Sequence, residues 1–377
     1  RPHVLAHDHL RVWSSPFSIE RQRIFGNELP EDAVNRTYAT LLGSYAPGTH
    51  DNYAAGLLRF HQFCDRHEIS ENARMPASHF LLAAFIAEHV GTVGGGTVKS
   101  WMSGVKAWHD VNGAPWEGDD RWVELARRTA NKEGTAFKRD QRGPVTMEHM
   151  IALRAAMDLN KPFDAALWSC ATAAFWGCRR LGELTVPSYE KIDPKFRVTH
   201  GVEARDITAR NSAAATIIHI PWTKSTHKKG GQFTLTARAD EFCPKAAFRN
   251  HMLVNKHVPP HAPLFAFDAG NGAWSPMAKS WFLRRCDLIW KNALLLRVFG
   301  HSFRIGGSTE LLLAGVAPEI VAALGGWTSL VFLLYWQKIE HIIPMNIGKA
   351  YNKNKIDEVA KAFEDFRIAH GISLPTT

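Results

Sequence analysis

Cysteine is scarce in this chain of 377 residues. The five present, Cys64, Cys170, Cys178, Cys243 and Cys286, are odd in number and lack the close pairing that zinc sites use. They read as reduced, buried, small apolar side chains of an intracellular protein. No apolar run approaches the roughly 20 residues of a membrane-spanning helix, and the opening stretch RPHVLAHDHLRVW has no signal-peptide core. The expectation is a chain neither secreted nor inserted in a membrane. A nucleotide-binding loop is missing too. GTVGGG at 91–96 has no strand before it and no Gly-Lys-Ser/Thr after it, so it reads as a flexible turn. His257 and His261 in HVPPH have the spacing of a metal pair, but two prolines keep a regular helix from presenting both, and no metal is assigned. Acidic residues fall short of basic ones, 36 against 45, leaving a net charge of +9 and a pI near 9.3. That balance favours a polyanionic partner.

What is present is an ordinary folded composition, 45% hydrophobic and 21% charged, with length enough for about two domains. Residues 1–35 carry no sustained period and read as an N-terminal arm. Residues 36–126 read as a helical domain. THDNYAAGLLRFHQFCDRH steps Tyr53, Leu57, Phe60 and Cys64 at helical intervals behind Thr49 as a possible cap. HFLLAAFIAEHV makes a second helix. TVKSWMSGVKAWHDV sets Val98, Trp101, Met102, Val105 and Trp108 on one stripe, with Lys99, Ser103 and Lys106 opposite. Residues 127–143 hold six basic and two acidic residues and read as a basic linker.

Residues 144–350 read as a second domain, helical at first, with the buried segment DAALWSCATAAFWG. RDITA, ATIIHIPWTK and QFTLTA form a small antiparallel sheet, the last two joined by STHKKGG. A Pro-rich loop and further helices follow. In 351–377, Ile356, Val359, Phe363 and Phe366 share a helical face suited to its own domain or to a neighbouring subunit. The fold class is mainly α with a small antiparallel β-sheet.

Chemistry concentrates in GHSFRIGGSTELLL at 300–313, where His301 and Arg304, three apart, can both reach one phosphate. The pair means little alone. Its company is Arg180 and Glu183 in GCRRLGELTV, Lys224 in PWTKSTHKKGG, Trp327 in LGGWTS and Tyr335 in FLLYW. As an ordered set these residues resemble the tyrosine recombinase, or phage-integrase-like, family over roughly 49–350. The wording CRRLGEL, HSFRIGGST and GGWTS…FLLY is most similar to the Crypton-type recombinases of eukaryotic transposons.

The resemblance implies a helical core-binding domain followed by a mixed α/β catalytic domain. Tyr335 would be the nucleophile that forms a 3′-phosphotyrosyl link, so that neither a metal nor another cofactor is implied. Arg180 and Arg304 would clamp the non-bridging oxygens. Lys224 would protonate the leaving 5′-oxygen, with Lys228 and Lys229 on the same turn as runners-up. His301 would transfer a proton or bind phosphate, Trp327 would donate its indole N–H, and Glu183 would orient Arg180. Arg179 fits less well as the clamp and reads as a surface or DNA-backbone contact. Further phosphate contacts fall to Lys99, Lys106, Arg127, Arg128, Lys138, Arg139 and Arg142. The implied partners are double-stranded DNA and further copies of the chain, as a tetramer on two duplexes linked by the C-terminal helix, in a nucleus. Tyr189 and Tyr351 lack a matching context, and the step from Trp327 to Tyr335 is one residue shorter than in many bacterial relatives. A domesticated, non-catalytic DNA-binding scaffold is the alternative; a type IB topoisomerase shares the chemistry in a larger architecture.

Overall fold

The structure is a computed structural model that describes residues 3–138, 143–188, 215–223, 226, 228–327 and 353–371. The chain divides into two compact units, Arg1–Gln141 and Arg142–Thr377.

In the first unit, helical turns at Ala6–Asp8 and His9–Val12 precede α1 (Pro16–Glu28), α2 (Glu31–Gly43), α3 (Pro47–Arg66), α4 (His79–Glu88), α5 (Gly95–Val111) and α6 (Arg121–Glu133). The starts are encoded locally. Ser15 accepts from the Ser18 amide ahead of Pro16, Ser78 from the Leu81 amide, and Asp120 from the Trp122 amide. α3 begins at Pro47, two residues before the predicted cap Thr49. Leu57, Phe60 and Cys64 of α3 meet Val98, Met102, Val105 and Trp108 of α5 in one buried core, as their spacing predicts.

Two boundaries differ from the sequence expectation. Leu10 and Trp13, within the predicted arm, are buried in this core, and the Trp108 indole donates to the Trp13 carbonyl at 2.8 Å. The segment is too short and too interrupted by His and Pro to show a period. The predicted linker 127–143 is also largely structured: α6 continues to Glu133, with Val123 and Ala130 inward and the basic Arg128 and Lys132 outward. Its charges mark the wet face of a helix.

His109 pins α5 to the chain before α4. Its Nε2 accepts from the Ala77 amide at 2.9 Å, so the ring proton sits on Nδ1, 2.8 Å from the Val105 carbonyl. Burial lowers its pKa from 6.5 to about 4, against the pull of that carbonyl.

The second unit contains α7 (Met147–Ala156), α8 (Pro162–Trp176), a helical turn Leu181–Leu184, β1 (Ala215–Ile220), β2 (Gly231–Thr236), α9 (Pro244–Val254), β3 (Phe267–Gly270), β4 (Ala273–Ser275), α10 (Lys279–Asn292), α11 (Ser302–Leu313), α12 (Pro318–Gly325) and α13 (Lys353–Ala369). α8 has no polar face. Every residue from Asp164 to Trp176 is buried, so this helix is the axis on which α9 and α11 pack. β1 and β2 pair antiparallel, Ala215 opposite Thr236 and Ile220 opposite Gly231. The predicted strand RDITA lies outside the described residues. The hairpin β3–β4 is not predicted; its Asn271–Gly272 turn is a hairpin signal, but strands of four and three residues leave little alternation to read.

α13 packs on its own unit, Val359 against Cys178, Leu312 and Val321. Of the face suited to its own domain or to a neighbouring subunit, Val359 and Phe363 are buried in this unit and Phe366 is half-buried.

α11 approaches α8 closely because it is bare at two positions. A Cβ on Gly307 would lie 1.7 Å from the Phe175 carbonyl oxygen, and one on Gly306 1.9 Å from that of Val145. Gly307→Ala is expected to destabilise this unit by about 3 kcal/mol or more in denaturant melts. For His109 the unfolded chain binds the proton first. Its contribution is complete above pH 6.5 and falls by about 3 kcal/mol as pH drops through about 4. Melts of native protein and His109→Gln across that range, with the pH slope reduced in the variant, check this.

Candidate active site

The site is assembled where α8 stops. The Cys178 amide donates to the Phe175 carbonyl and the Arg179 amide to the Ala174 carbonyl, a Schellman stop with Cys178 in the left-handed region at φ 49°. Glycine is usual there; here a cysteine takes the strain and turns its thiol inward. The chain then reverses so that Arg179 and Arg180 stand at the head of the turn Leu181–Leu184.

The two arginines part company. Arg180 keeps 35% of its side chain exposed, and its Nη1 donates to Glu183 Oε1 at 2.9 Å. Arg179 is 3% exposed. Its Nε and Nη2 donate to Glu183 Oε2 at 3.0 and 2.9 Å, and its Nη1 to the Leu324 carbonyl at 3.2 Å. The expectation that Arg179 is a surface or DNA-backbone contact is therefore corrected: a guanidinium removed from water has to be paired, and Glu183 pairs it. Glu183 also accepts from the Arg180 amide, so one buried carboxylate fixes both arginines.

Arg304 reaches the same place from α11. It is fully buried, its Nη1 donating to the carbonyls of Cys178 at 3.0 Å and Gly325 at 2.8 Å. Trp327 covers it, with the guanidinium carbon 3.7 Å from the ring centroid. Gly326, at φ 66°, makes this possible. It ends α12 in the left-handed region, and a Cβ there would lie 3.3 Å from Arg179 Nη1. Arg179 takes the carbonyl before this glycine pair, Arg304 the one inside it, and Trp327 follows. His301 is the N-cap of α11 and half-buried.

The structure thus brings Arg180, Glu183, Arg304 and Trp327 together through Cys178, Arg179 and the 324–327 turn. Sequence reasoning missed the inward role of Arg179; the doubled arginine of GCRR was the available signal. Tyr335 and Lys224 lie outside the described residues. On the β1–β2 turn, Lys228 and Lys229 are exposed, and Thr226 ties the loop, donating to the Gly230 carbonyl at 2.6 Å and accepting the Lys229 amide at 3.1 Å. Burial pushes the Cys178 thiol up to about 12, overriding the opposite pull of Arg304 and Arg179.

In the first unit, Lys99 and Arg127 line one hollow with Asn131, and Lys138 lines its neighbour with the same Asn131, around the N-terminus of α5. Lys106 instead pairs with Asp110 at 2.8 Å, and Arg128 with Glu124. Arg139 and Arg142 lie outside the described residues.

No family model and no curated protein sequence matches the chain. Among solved structures it is similar to the XerH site-specific recombinase bound to palindromic difH substrate in a post-cleavage complex. That match has a TM-score of 0.54 at 14% identity and covers 95% of this chain and 94% of the other. The chain has the tyrosine-recombinase fold. A pre-cleavage XerH complex with difH substrate matches with a TM-score of 0.48 at 14% identity, covering 91% and 97% of the two chains. XerA recombinase matches with a TM-score of 0.35 at 12% identity, covering 90% and 98%.

Glu183→Ala would strand the buried Arg179 charge, and thermal unfolding should show a loss of about 3–5 kcal/mol in the second unit. Cys178 should resist iodoacetamide at pH 8 until the protein is unfolded, as mass spectrometry of the alkylated peptides would show.

Proposed function

We propose that this chain is a tyrosine recombinase that cleaves and rejoins double-stranded DNA. The observation that carries the reading is the meeting of Arg180–Glu183 with Arg304–Trp327 at the end of α8, from segments more than a hundred residues apart, in a chain with the tyrosine-recombinase fold. Two guanidiniums able to reach one phosphate are what a phosphodiester undergoing displacement requires, because negative charge builds on its non-bridging oxygens.

In this reading the Tyr335 oxygen gives its proton to His301 and bonds to the scissile phosphorus, and the bond from phosphorus to the 5′-oxygen breaks. Lys224 gives that oxygen its proton, leaving a free 5′-hydroxyl and a 3′-phosphotyrosyl link. Attack by another strand's 5′-hydroxyl reverses the step, so the bond energy is conserved without nucleotide hydrolysis. Arg180, already exposed, meets the phosphate first. Arg304 joins once Trp327 leaves its face and offers its indole N–H to the phosphate. His301 borders the same helix start. The first unit acts as the core-binding domain, with Lys99, Arg127 and Lys138 on the DNA backbone. The finer assignment is a Crypton-type mobile-element recombinase working as a tetramer in a nucleus.

Full burial of Arg304 beneath Trp327 favours a second reading, a DNA-binding scaffold that does not cut. Nicked suicide duplexes from a randomised pool separate the two. The enzyme reading expects a covalent adduct that survives denaturing electrophoresis and vanishes in Tyr335→Phe, with Arg180→Ala slowing its formation about 100-fold or more. Salt-sensitive DNA binding without any adduct would establish the scaffold instead.

A further inference from the structure

Within the recombinase reading, on which this inference rests, we propose that Arg179 is the positioning residue of the site: a buried guanidinium that holds the elements bearing the cleavage groups in one register. It touches three of them. Its Nε and Nη2 hold Glu183 Oε2, and Glu183 in turn holds the Arg180 guanidinium through its other oxygen. Its Nη1 holds the Leu324 carbonyl, at the start of the turn that supplies the Gly325 carbonyl to Arg304 and lays Trp327 on it. Its guanidinium carbon lies 5.5 Å from the ring centroid of Phe233 on β2, one strand of the β1–β2 hairpin.

The chemistry suits arginine alone. Its planar fork donates in two directions at once, toward a carboxylate and toward a carbonyl, while its charge stays within cation–π range of an aromatic ring. Lysine has a single ammonium and no face to stack. The surroundings are cut to the same shape. A Cβ on Gly177 would lie 2.9 Å from Phe233, and one on Gly326 3.3 Å from Arg179 Nη1, so both neighbours are bare where the guanidinium passes. At 3% exposure Arg179 cannot bind a phosphate itself. It acts through Arg180 and Arg304, by fixing where their donors stand.

The test uses the full chain and the duplex sequence recovered from its adducts, prepared with either a phosphate or a methylphosphonate at the scissile position. The neutral methylphosphonate develops less negative charge during cleavage, so it depends less on well-placed arginines. Arg179→Met should slow single-turnover adduct formation on the phosphate duplex about 10- to 100-fold with duplex affinity unchanged. On the methylphosphonate duplex the defect should shrink severalfold. A lower folded fraction would slow both substrates equally, so the ratio of the two rates isolates positioning from stability. Arg179→Lys, which keeps the buried charge paired with Glu183, carries the same comparison if the methionine variant does not fold, and its ratio should shift the same way. Equal defects on the two duplexes, or no defect, overturn the proposal while leaving the recombinase reading intact. No adduct from the native chain on any duplex of the randomised pool overturns both.

Discussion

A helix can touch another helix's backbone only where it carries no side chain, and the second unit is organised around one such contact. Gly306 and Gly307 bring α11 against the last turn of α8 and the Val145 carbonyl. Because Arg304 lies two residues earlier on α11, that approach delivers its guanidinium to the Cys178 carbonyl, at the point where α8 stops. The stop itself, with Cys178 in the left-handed region, sends the next two residues back toward α11. Helix approach and helix termination together set the positions of Arg179, Arg180 and Arg304.

Two of these cations, Arg179 and Arg304, have left water, which is unfavourable unless each finds acceptors. The acceptors differ in kind. Arg179 and Arg180 share the carboxylate of Glu183, while Arg304 relies on main-chain carbonyls and the Trp327 face. Arg179 has its charge matched by a carboxylate within 3.0 Å. Of two adjacent cations, one is committed to the fold and the other keeps an open side.

Much of this was legible beforehand. The α3 and α5 stripes announce the first core through simple periodicity, and α8 announces itself by lacking a polar face. The grouping of Arg180, Glu183, Arg304 and Trp327 is what the resemblance to the tyrosine recombinase family implies. Other parts left no usable trace. Leu10 and Trp13 join a core through isolated contacts too few to make a period. Arg127 and Arg128 look like linker residues because charge alone does not distinguish a loop from the wet side of a helix. Arg179 differs from Arg180 only in direction, which depends on a helix stop whose left-handed residue is a cysteine instead of the usual glycine.

Holding Arg304 by carbonyls has a consequence for how such a site persists over time. A carbonyl belongs to the backbone, so the residue that supplies it is free to change as long as the chain follows the same path. Cys178 could be replaced by many side chains of similar volume and still present the same oxygen. Geometry of this kind is stored in the course of the main chain, and substitutions can accumulate along it while the arrangement survives. A chain built this way can hold one shape with very different spellings, which is what a fold match spanning 95% of the residues at 14% identity requires.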